Sequence, residues 1–391
     1  MKAKTFVILL IVCGILGLLA FQISAPRKPD RIEGKNTGPL LPDLPVNDVT
    51  DITLQYAGGE TRLVKGSDVW QVESRYAYPA DFAKIADFVR KLKDLQIGRS
   101  FTATDDIVER QSLRMPDQPA VPEEQKAVRV TLKDRSGKVL ADFLVGKGRE
   151  STAGAGGHYV MPASGKTVFL VDKNMNRIET DAAEWLQQNL VDVPADSVSS
   201  VRCVSSDGQI RYVLKRPEKG KDPQFENLPE GKTAPPSKLT PVFSALSALK
   251  FEDVADPALP DGQTGLGQAP CLEYALFDGT VYTVCVGKPS AENEEEGYVH
   301  IAVRFEPLPE PATGAEKTDT PKAAEGDGEQ AAAAPETEDA KKSDPAKPAE
   351  AAEALQKKID PWVYVLPKWK MDRLVTDPES LFETPKTDTQ S

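Results

Sequence analysis

The chain has 391 residues, of which 40% are hydrophobic, and this is enough for two domains of ordinary size. Its formal net charge is −12, from 60 acidic and 48 basic side chains. Proteins that bind nucleic acid need clustered Lys and Arg to neutralise phosphates, and no such cluster stands out in this sequence. The composition therefore argues against nucleic-acid binding.

The N-terminal segment predicts a membrane anchor. Residues 5–25 read TFVILLIVCGILGLLAFQISA, contain no charge, and would span about 31 Å as a helix, close to the thickness of the hydrocarbon core of a bilayer. A cleaved signal peptide is the alternative, but its apolar region is usually shorter, and Ile23-Ser24-Ala25-Pro26 offers no A-x-A cleavage site. We predict an uncleaved anchor over 1–25 and a Pro-, Gly- and charge-rich linker over 26–48.

The charges on either side of the anchor do not decide its orientation. Lys2 and Lys4 precede the span, whereas Arg27 and Lys28 follow it, so the positive-inside rule gives no clear answer. A single N-terminal span before a large globular region is the usual architecture of an exported protein. We therefore expect a single-pass protein of the cell inner membrane, with its C-terminal bulk on the periplasmic or extracytoplasmic side.

A first module is predicted over 49–194. Alternating apolar residues around Gly58-Gly59 indicate a hairpin, and VWQVES continues the pattern as a third strand. Behind a capping Asp81, DFAKIADFVRKLKDLQI predicts one amphipathic helix whose apolar face is turned to the sheet and consists of Phe82, Ile85, Phe88, Val89, Leu92 and Leu95. Further strands flank turns at Ser136-Gly137 and 163–166, and NMNRIETDAAEWLQQNLVDV closes the module with helical turns.

A second module over 195–383 repeats this plan. VTDITLQYAGGETRLV and VSSVRCVSSDGQIRYV lie 149 positions apart without a gap and share an alternation around a Gly turn. SKLTPVFSALSALKF corresponds to the first helix, Val286-Gly287-Lys288 repeats Val145-Gly146-Lys147, and WVYVLPKWKMDRLVTDPESLF mirrors TVFLVDKNMNRIETDAAEWL. Between the last two strands lies the Ala/Glu/Pro-rich segment 306–358, which contains no aromatic residue and is predicted to be a disordered insertion.

These patterns together predict an α+β fold. It consists of two tandem copies of an antiparallel-sheet module with packed helices, after one N-terminal transmembrane helix. Residues 384–391 are predicted to be a disordered tail. An insertion at the tip of a hairpin is compatible with this plan, because the entropic cost of closing a loop grows only logarithmically with its length.

Cysteine spacing leaves one pairing open. Cys13 lies in the predicted anchor, and the remaining Cys203, Cys271 and Cys285 are odd in number. CLEYALFDGTVYTVC reads as two strands around Asp278-Gly279, where a three-residue loop places Cys271 opposite Cys285 and a two-residue loop places them on opposite faces. Buried free thiols are the favoured interpretation, with a disulfide as the alternative.

Two motifs invite a functional interpretation and do not support one. Ser164-Gly165-Lys166-Thr167 resembles the end of a phosphate-binding loop, but Val160 stands where that loop needs a Gly, and a strand follows instead of a helix, so we predict a turn. His158 and His300 occupy related strands of the two modules. Their alternation with tyrosines indicates positions on a half-exposed sheet and not a metal site.

Acidic pairs and tryptophans are interpreted in structural terms. Carboxylates such as Asp105-Asp106 and those over 294–296 lie near predicted loops, where such groups are usually solvated. A ligand platform could be formed by the four tryptophans, but core packing is favoured because three of them sit in strand or helix patterns: Trp70, Trp185, Trp362 and Trp369. We therefore predict no catalytic, cofactor-binding or metal-binding residue and no cofactor.

Three stretches carry a family resemblance: WLQQNLVDVPADSVSSVRC, Trp70 followed by Tyr78-Pro79-Ala80-Asp81 and a Leu-rich helix, and VYVL followed by Asp377-Pro378-Glu379. They resemble the bacterial domain-of-unknown-function family numbered 4340, over most of 49–383 outside the insertion. Members are typically anchored by one N-terminal helix, and many are encoded beside ABC-transporter components of the gliding-motility type. The resemblance implies an envelope role associated with transport, and it supplies no catalytic residues.

The sequence therefore predicts a non-enzymatic, membrane-anchored envelope protein that acts as an interaction or accessory subunit. The expected partner is a membrane protein, with ABC-type transporter components as the candidates. A ligand-binding module for an envelope polymer or a transported solute is the alternative, and a hydrolase with a site assembled from scattered acids is a weaker one.

Overall fold

The structure is a computed structural model that describes residues 38–149, 156–175, 178–290, 293–307, 346–374 and 377–383. The predicted membrane anchor, most of the linker and the predicted tail over 384–391 lie outside these residues. None of the helices within them combines the length and apolar character needed to cross a bilayer. The chain divides into two compact units, Met1–Trp185 and Leu186–Ser391.

A ten-stranded antiparallel sheet forms the centre of the first unit. Its strands are β1 Gly38–Pro39, β2 Asp51–Tyr56, β3 Gly59–Lys65, β4 Trp70–Val72, β5 Tyr78–Pro79, β6 Gln96–Thr102, β7 Val128–Lys133, β8 Val139–Gly148, β9 His158–Pro162 and β10 Thr167–Val171. Their order in the sheet is β1-β6-β10-β9-β8-β7-β2-β3-β4-β5. The predicted alternation is confirmed at the centre of β2 and β7, where Ile52, Leu54, Val130 and Leu132 are fully buried and the residues between them are not.

In the described part of the first unit, two helices accompany this sheet, α1 over Phe82–Lys93 and α2 over Asp105–Arg110. The predicted cap is confirmed, because the side chain of Asp81 accepts hydrogen bonds from the first-turn N–H groups of α1. The prediction that one helix runs on to residue 97 is wrong. The chain leaves the helix after Lys93 and enters β6, where Ile97 pairs with Val171 of β10.

The second unit contains an eight-stranded sheet and a separate strand pair. Its strands are β11 Asn189–Val191, β12 Val198–Val204, β13 Ile210–Lys215, β14 Gln224–Glu226, β15 Leu249–Lys250, β16 Asp253–Val254, β17 Cys271–Leu276, β18 Thr280–Pro289, β19 Glu296–Phe305 and β20 Val363–Pro367. The predicted module boundary at residue 194 lies inside this unit, because β11 pairs with β15.

The strand order of the second sheet follows that of the first. It is β14-β13-β12-β17-β18-β19-β20-β16, and the equivalent strands of the first sheet are β4-β3-β2-β7-β8-β9-β10-β6. The described chain is therefore mixed α+β with mostly antiparallel sheets and few helices, as predicted.

The hydrogen-bonding register refines the sequence match between the two hairpins. Ile52 lies between Leu63 and Leu132, and its equivalent Val201 lies between Leu214 and Tyr274. The gap-free match holds only as far as the turn, because the turn of the second hairpin is longer. Arg62 and Arg211, which the sequence alignment pairs, are consequently not equivalent: Arg62 faces Thr53, whereas Arg211 lies at a bulge.

The described residues of the second unit form four helices, α3 Pro236–Phe243, α4 Asp261–Thr264, α5 Ala346–Ile359 and α6 Lys368–Leu374. The predicted helix over SKLTPVFSALSALKF is shorter than expected, because its last residues turn into β15. Large aromatic side chains fill the core of the unit, and the most deeply buried are Phe243, Phe251, Tyr274 and Tyr364.

Helix α5 corrects the prediction of disorder over 306–358 for its last part. Residues 346–358 are helical, and the small or apolar side chains of Ala352 and Ile359 are buried at 4% and 2% exposure. The Ala-rich composition that suggested disorder also has high helix propensity, and contact with β19 supplies the burial that an isolated helix lacks. Residues 308–345 of the predicted insertion lie outside the described residues.

The closing segment of the first unit is less helical than predicted. In the first unit a single 3-10 turn over Ala183–Trp185 is followed by β11, which belongs to the second unit. Trp185 nevertheless packs as expected, with its ring 5.6 Å from that of Phe88 in an edge-to-face arrangement.

Candidate functional site

The residues that resembled a phosphate-binding loop form a turn. The N–H of Gly165 donates to the carbonyl of Pro162 at 2.8 Å, and Thr167 is already the first residue of β10. The predicted turn between two strands is confirmed, and no helix N-terminus follows it that could hold a phosphate.

His158 is a buried connector in the first sheet. It is 3% exposed, and its Nδ1 accepts a hydrogen bond from the N–H of Met175 at 3.1 Å. Burial lowers the pKa of the imidazole, a backbone hydrogen bond with Gly146 opposes this, and the charge of Lys91 lowers the pKa further. A neutral imidazole therefore joins β9 to β8 and to the segment that follows β10.

His300 has a different environment and is not the equivalent of His158. Its Nε2 lies 2.9 Å from the carbonyl oxygen of Asp360, just beyond the end of α5. Val160 of β9 pairs with Val145 and Phe169, and Val299 of β19 pairs with their counterparts Val286 and Tyr364. Val160 and Val299 are therefore equivalent. The residues two positions before them, His158 and Gly297, are then equivalent as well.

The predicted tryptophan and acidic sets are dispersed. Trp70 and Trp185 are buried in the first unit, as expected, whereas Trp369 on α6 is 56% exposed. The carboxylates of Asp105 and Asp106 form exposed ion pairs with arginines of their own unit. Among the described residues, no group of three or more His, Cys, Asp or Glu side chains has metal-binding geometry.

The two cysteines left open by the sequence form a disulfide. Cys271 and Cys285 lie directly opposite each other on β17 and β18, with their Cα atoms 4.1 Å apart and a disulfide between them. The connecting loop has three residues, which is the alternative that places both cysteines on one face. The favoured interpretation of free thiols is wrong for this pair and holds for Cys203, which is buried and unpaired.

Charged residues on the strands are joined across each sheet. Arg129 donates two hydrogen bonds to Asp142, at 2.9 and 2.8 Å, and this interaction lowers the pKa of the Asp142 carboxyl. In the second unit, Glu273 lies between Arg202 and Arg304 and accepts hydrogen bonds from both. These partly buried charges are neutralised by cross-strand neighbours.

A groove on the first unit runs along α1 and has a volume of about 300 Å³. Its floor is apolar and its rim is charged; the lining residues are Lys84, Asp87, Phe88, Lys91, Met175, Glu179, Glu184 and Trp185. The Nζ of Lys84 donates to the carbonyl of Glu184 at 2.6 Å, and Nε1 of Trp185 donates to that of Glu179 at 2.8 Å. The segment opposite the helix is therefore fixed by hydrogen bonds from side chains.

A smaller cavity of about 120 Å³ lies against the same sheet near β1. Most of its lining is apolar, including Leu40, Ile97, Phe143, Val160 and Phe169. Since its volume is below that of typical small-molecule sites, it is best described as a packing defect.

Exposed apolar side chains concentrate at the β4–β5 edge of the first sheet, which we define as residues 69–82. Val69, Tyr76 and Phe82 are 49%, 45% and 65% exposed. The N–H of Ala80 donates to the carbonyl of Trp70 at 2.7 Å, so Val69 and Phe82 both lie just beyond this pair at the open end of the hairpin. Tyr76 lies at its other end.

The backbone at the hairpin tip is strained. Tyr76 and Ala77 have φ angles of 56° and 60°, in the left-handed region that non-glycine residues seldom adopt. Such conformations persist where the surrounding structure imposes them, and they concentrate at functional sites.

Sequence reasoning missed this edge because it assigned Phe82 to the buried face of α1. That prediction is wrong. Phe82 is the first helical residue, and the place beside the helix start is taken by Trp185, whose carbonyl accepts a hydrogen bond from the N–H of Asp81 at 2.8 Å. A position so close to the cap could have suggested exposure, since the first turn often extends past the sheet.

Comparison with known proteins gives one finding. No curated protein and no solved structure matches the chain. The family described as Domain of unknown function (DUF4340) matches residues 70–267, from β4 to the turn after α4. Because this match covers half of the sequence, the chain belongs to the DUF4340 family.

Proposed function

We propose that the protein is a membrane-anchored, extracytoplasmic interaction subunit without enzymatic activity, built from two copies of one module. Its proposed partner is a membrane component of an export or ABC-type assembly. The anchor and the transport association come from the sequence and from the family resemblance. The shared strand order of the two sheets supports duplication of one module.

The observation that carries the interaction role is the β4–β5 edge. Val69 and Phe82 are exposed at one end of the hairpin and Tyr76 at the other, and exposed apolar surface of this kind marks protein-binding sites. The edge strand β5 is short and contains Pro79, which opposes pairing with a foreign strand. Contact with a partner therefore uses side chains, with Phe82 as the main anchor.

The Cys271–Cys285 disulfide supports the extracytoplasmic location. Disulfides persist in oxidising compartments such as the periplasm and are rare in the reducing cytosol. The C-terminal bulk of the chain contains this bond, so the proposed orientation places the second unit outside the cytoplasm.

The experiment is co-purification from membranes in mild detergent, comparing wild type with Phe82→Asp. We expect recovery of the membrane partner to fall at least tenfold in the variant, since Phe82 is proposed to anchor the contact. Ile210→Asp is the matched control, because Ile210 is 56% exposed on the second unit and lies outside the edge. Equal recovery with both variants would exclude the β4–β5 edge, and no membrane partner with wild type would exclude the interaction role.

A ligand-binding module is the second candidate, favoured by the groove along α1. Its volume of about 300 Å³ is at the lower limit of small-molecule sites, and its apolar floor beside charged groups suits an amphipathic solute. A ligand that binds only the folded state must raise the melting temperature. A thermal-shift screen of envelope saccharides and solutes, repeated with Lys91→Glu, tests this candidate, which fails if no compound shifts wild type more than the variant.

A further inference from the structure

Among the described residues, two charged side chains that line the groove along α1 lack a partner of opposite charge. Lys91 lies on the helix, and Glu179 lies on the segment opposite the helix. The carboxylate of Glu179 accepts one long hydrogen bond, from the N–H of Asp181 at 3.4 Å, and Lys91 donates none within the described chain. Both residues are half-buried. The groove therefore holds one positive and one negative charge, each only partly solvated, on opposite walls.

The other charges on the rim of the groove are compensated within the first unit. The Nζ of Lys84 lies 3.6 Å from the carboxylate of Glu184, and the carboxylate of Asp87 lies 2.8 Å from the guanidinium of Arg90. These pairs are exposed and neutralise each other on the rim. A ligand in the groove therefore meets two uncompensated charges of opposite sign.

The architecture shared by the two units does not require these two charges. Sequence alignment of the units places Ala245 at the position of Lys91 and Val375 at the position of Glu179. The second unit thus has the same strand order with uncharged residues at both positions. Lys91 and Glu179 are therefore specific to the groove of the first unit.

An apolar floor lies between the two charged walls. The rings of Phe88 and Trp185 meet edge to face at 5.6 Å, and the side chain of Met175 is buried beside them. Aromatic and thioether surfaces of this kind accept an apolar or aromatic group of a ligand. The volume of about 300 Å³ suits a solute with the size of one amino acid and excludes a folded polymer.

We propose that the groove binds a zwitterionic amino acid with an apolar side chain, whose carboxylate contacts Lys91 and whose ammonium group contacts Glu179. Its side chain packs on Phe88 and Trp185. A ligand with one charge would leave the other wall without a partner, and charge-assisted hydrogen bonds are the strong ones. This inference rests on the ligand-binding candidate and names its ligand class.

The test compares three probes that share a phenyl group and differ in charge. Calorimetric titration of the full-length chain in detergent uses L-phenylalanine, 3-phenylpropionate, which lacks the ammonium group, and phenethylamine, which lacks the carboxylate. We expect phenylalanine to bind about fivefold more tightly than either analogue, because each half-buried charge contributes one modest contact.

Two variants assign the two contacts. Lys91→Met should remove the advantage of phenylalanine over phenethylamine, and Glu179→Gln should remove its advantage over 3-phenylpropionate. Lys93→Met is the matched control, because Lys93 is an exposed residue of the same helix that does not line the groove, and it should bind all three probes as wild type does.

A second measurement locates the carboxylate of the ligand. The charge of Lys91 lowers the pKa of the His158 imidazole, so an anion bound at Lys91 should move that pKa towards its ordinary value. The chain contains two histidines, and His300 of the second unit serves as the internal reference in the NMR spectrum. Phenylalanine and 3-phenylpropionate should raise the pKa of His158, and phenethylamine should not.

Distinct outcomes separate this inference from the candidate on which it rests. Equal affinity for the three probes, or an equal loss for all three in Lys91→Met and Glu179→Gln, would overturn the assignment of a zwitterion. If none of the probes binds but another compound of the thermal-shift screen does, the amino acid is wrong and the ligand-binding candidate stands. If no compound binds, both fail.

Discussion

In the first sheet, the imidazole of His158 connects β9 to the backbone of Met175. At the equivalent position of the second sheet stands Gly297, and a Cβ placed there would lie 2.4 Å from the terminal methyl of Met371. Sequence alignment equates Met371 with Met175, so the second unit fills with a thioether the space that the first unit gives to an imidazole. The same strand topology therefore accommodates either a hydrogen-bonding imidazole or an apolar methionine side chain at this position.

Other contacts are the same in both units. Gly146 on β8 approaches the carbonyl of Gln111, and Gly287 on β18 approaches that of Thr264. Backbone-to-backbone approaches are shared between the units because they define the path of the chain, whereas side-chain volume is exchanged freely. Variants at matched positions of the two units distinguish shared contacts from those found in one unit.

The largest effect is expected from Gly146→Ala and Gly287→Ala. A Cβ would lie 2.0 Å and 2.2 Å from the facing carbonyl oxygens, so the backbone must move in either case. We expect each to lower the free energy of unfolding of its own unit by about 3 kcal/mol or more. Gly262→Ala, with nothing within 4 Å, is the control. Chemical denaturation with segment-resolved hydrogen exchange measures the effect, and a clear difference between the two units contradicts the shared role.

Removal of the disulfide should lower the stability of the second unit and leave that of the first unchanged. Cys271→Ser with Cys285→Ser opens a link with a sequence separation of 14, worth about 3 kcal/mol or somewhat less. The first unit has no equivalent link among its described residues, so only the second should lose stability. Differential scanning calorimetry with and without reductant checks this. If wild type does not respond to reductant, the cysteines are not paired.

Acidification should reduce the contribution of His158 to the stability of the first unit. The pKa of His158 is lowered by burial, so the unfolded state binds the proton more readily than the folded state. The contribution of His158 is complete above the ordinary pKa of about 6.5 and is lost as the pH falls below it, with a slope of at most about 1.4 kcal/mol per pH unit.

His158→Gln is the variant that isolates this group. It retains a side chain able to hydrogen-bond with Met175 but does not titrate, so the stability of the first unit should vary less between pH 7.5 and 5. Denaturation midpoints of both proteins at the two pH values give the comparison. Equal losses of stability in the two proteins would show that groups other than the His158 imidazole cause the pH dependence.

The sequence predicted local elements better than distant contacts. Alternation identified the hairpins, and Asp81 marked the start of α1, since these signals lie within a few residues. The bond between His158 and Met175 depends on where the chain returns after β10, and no local pattern encodes that. Whether Cys271 and Cys285 could pair depended on whether the connecting loop has two or three residues.

The candidate site was harder to predict for the same reason. A helical pattern assigns Phe82 to the apolar face of α1, and its exposure follows from the position of Trp185, a hundred residues later in the chain. Helix α5 was not predicted, because the composition of its segment fits both disorder and a docked helix. Only contact with the β19 edge decides between these two states.

The smallest effect concerns a lysine found in both units. Lys84 of α1 donates to the carbonyl of Glu184 at 2.6 Å, and Lys238 of α3 donates to that of Ser380 at 3.1 Å. Sequence alignment makes Glu184 and Ser380 equivalent, so each helix fixes the closing segment of its own unit in the same way. The two side chains are 45% and 35% exposed, which limits what each bond contributes.

Lys84→Met and Lys238→Met should each cost about 0.5 to 1 kcal/mol, because the carbonyl can turn to water. The loss should be confined to opening of the closing segment, read from hydrogen exchange over 179–185 or 378–383. Lys91→Met is the control, since it removes a charge from α1 without removing a described hydrogen bond to that segment. If Lys91→Met accelerates exchange as much as Lys84→Met does, the effect comes from net charge, and the hydrogen bond from Lys84 does not hold the closing segment.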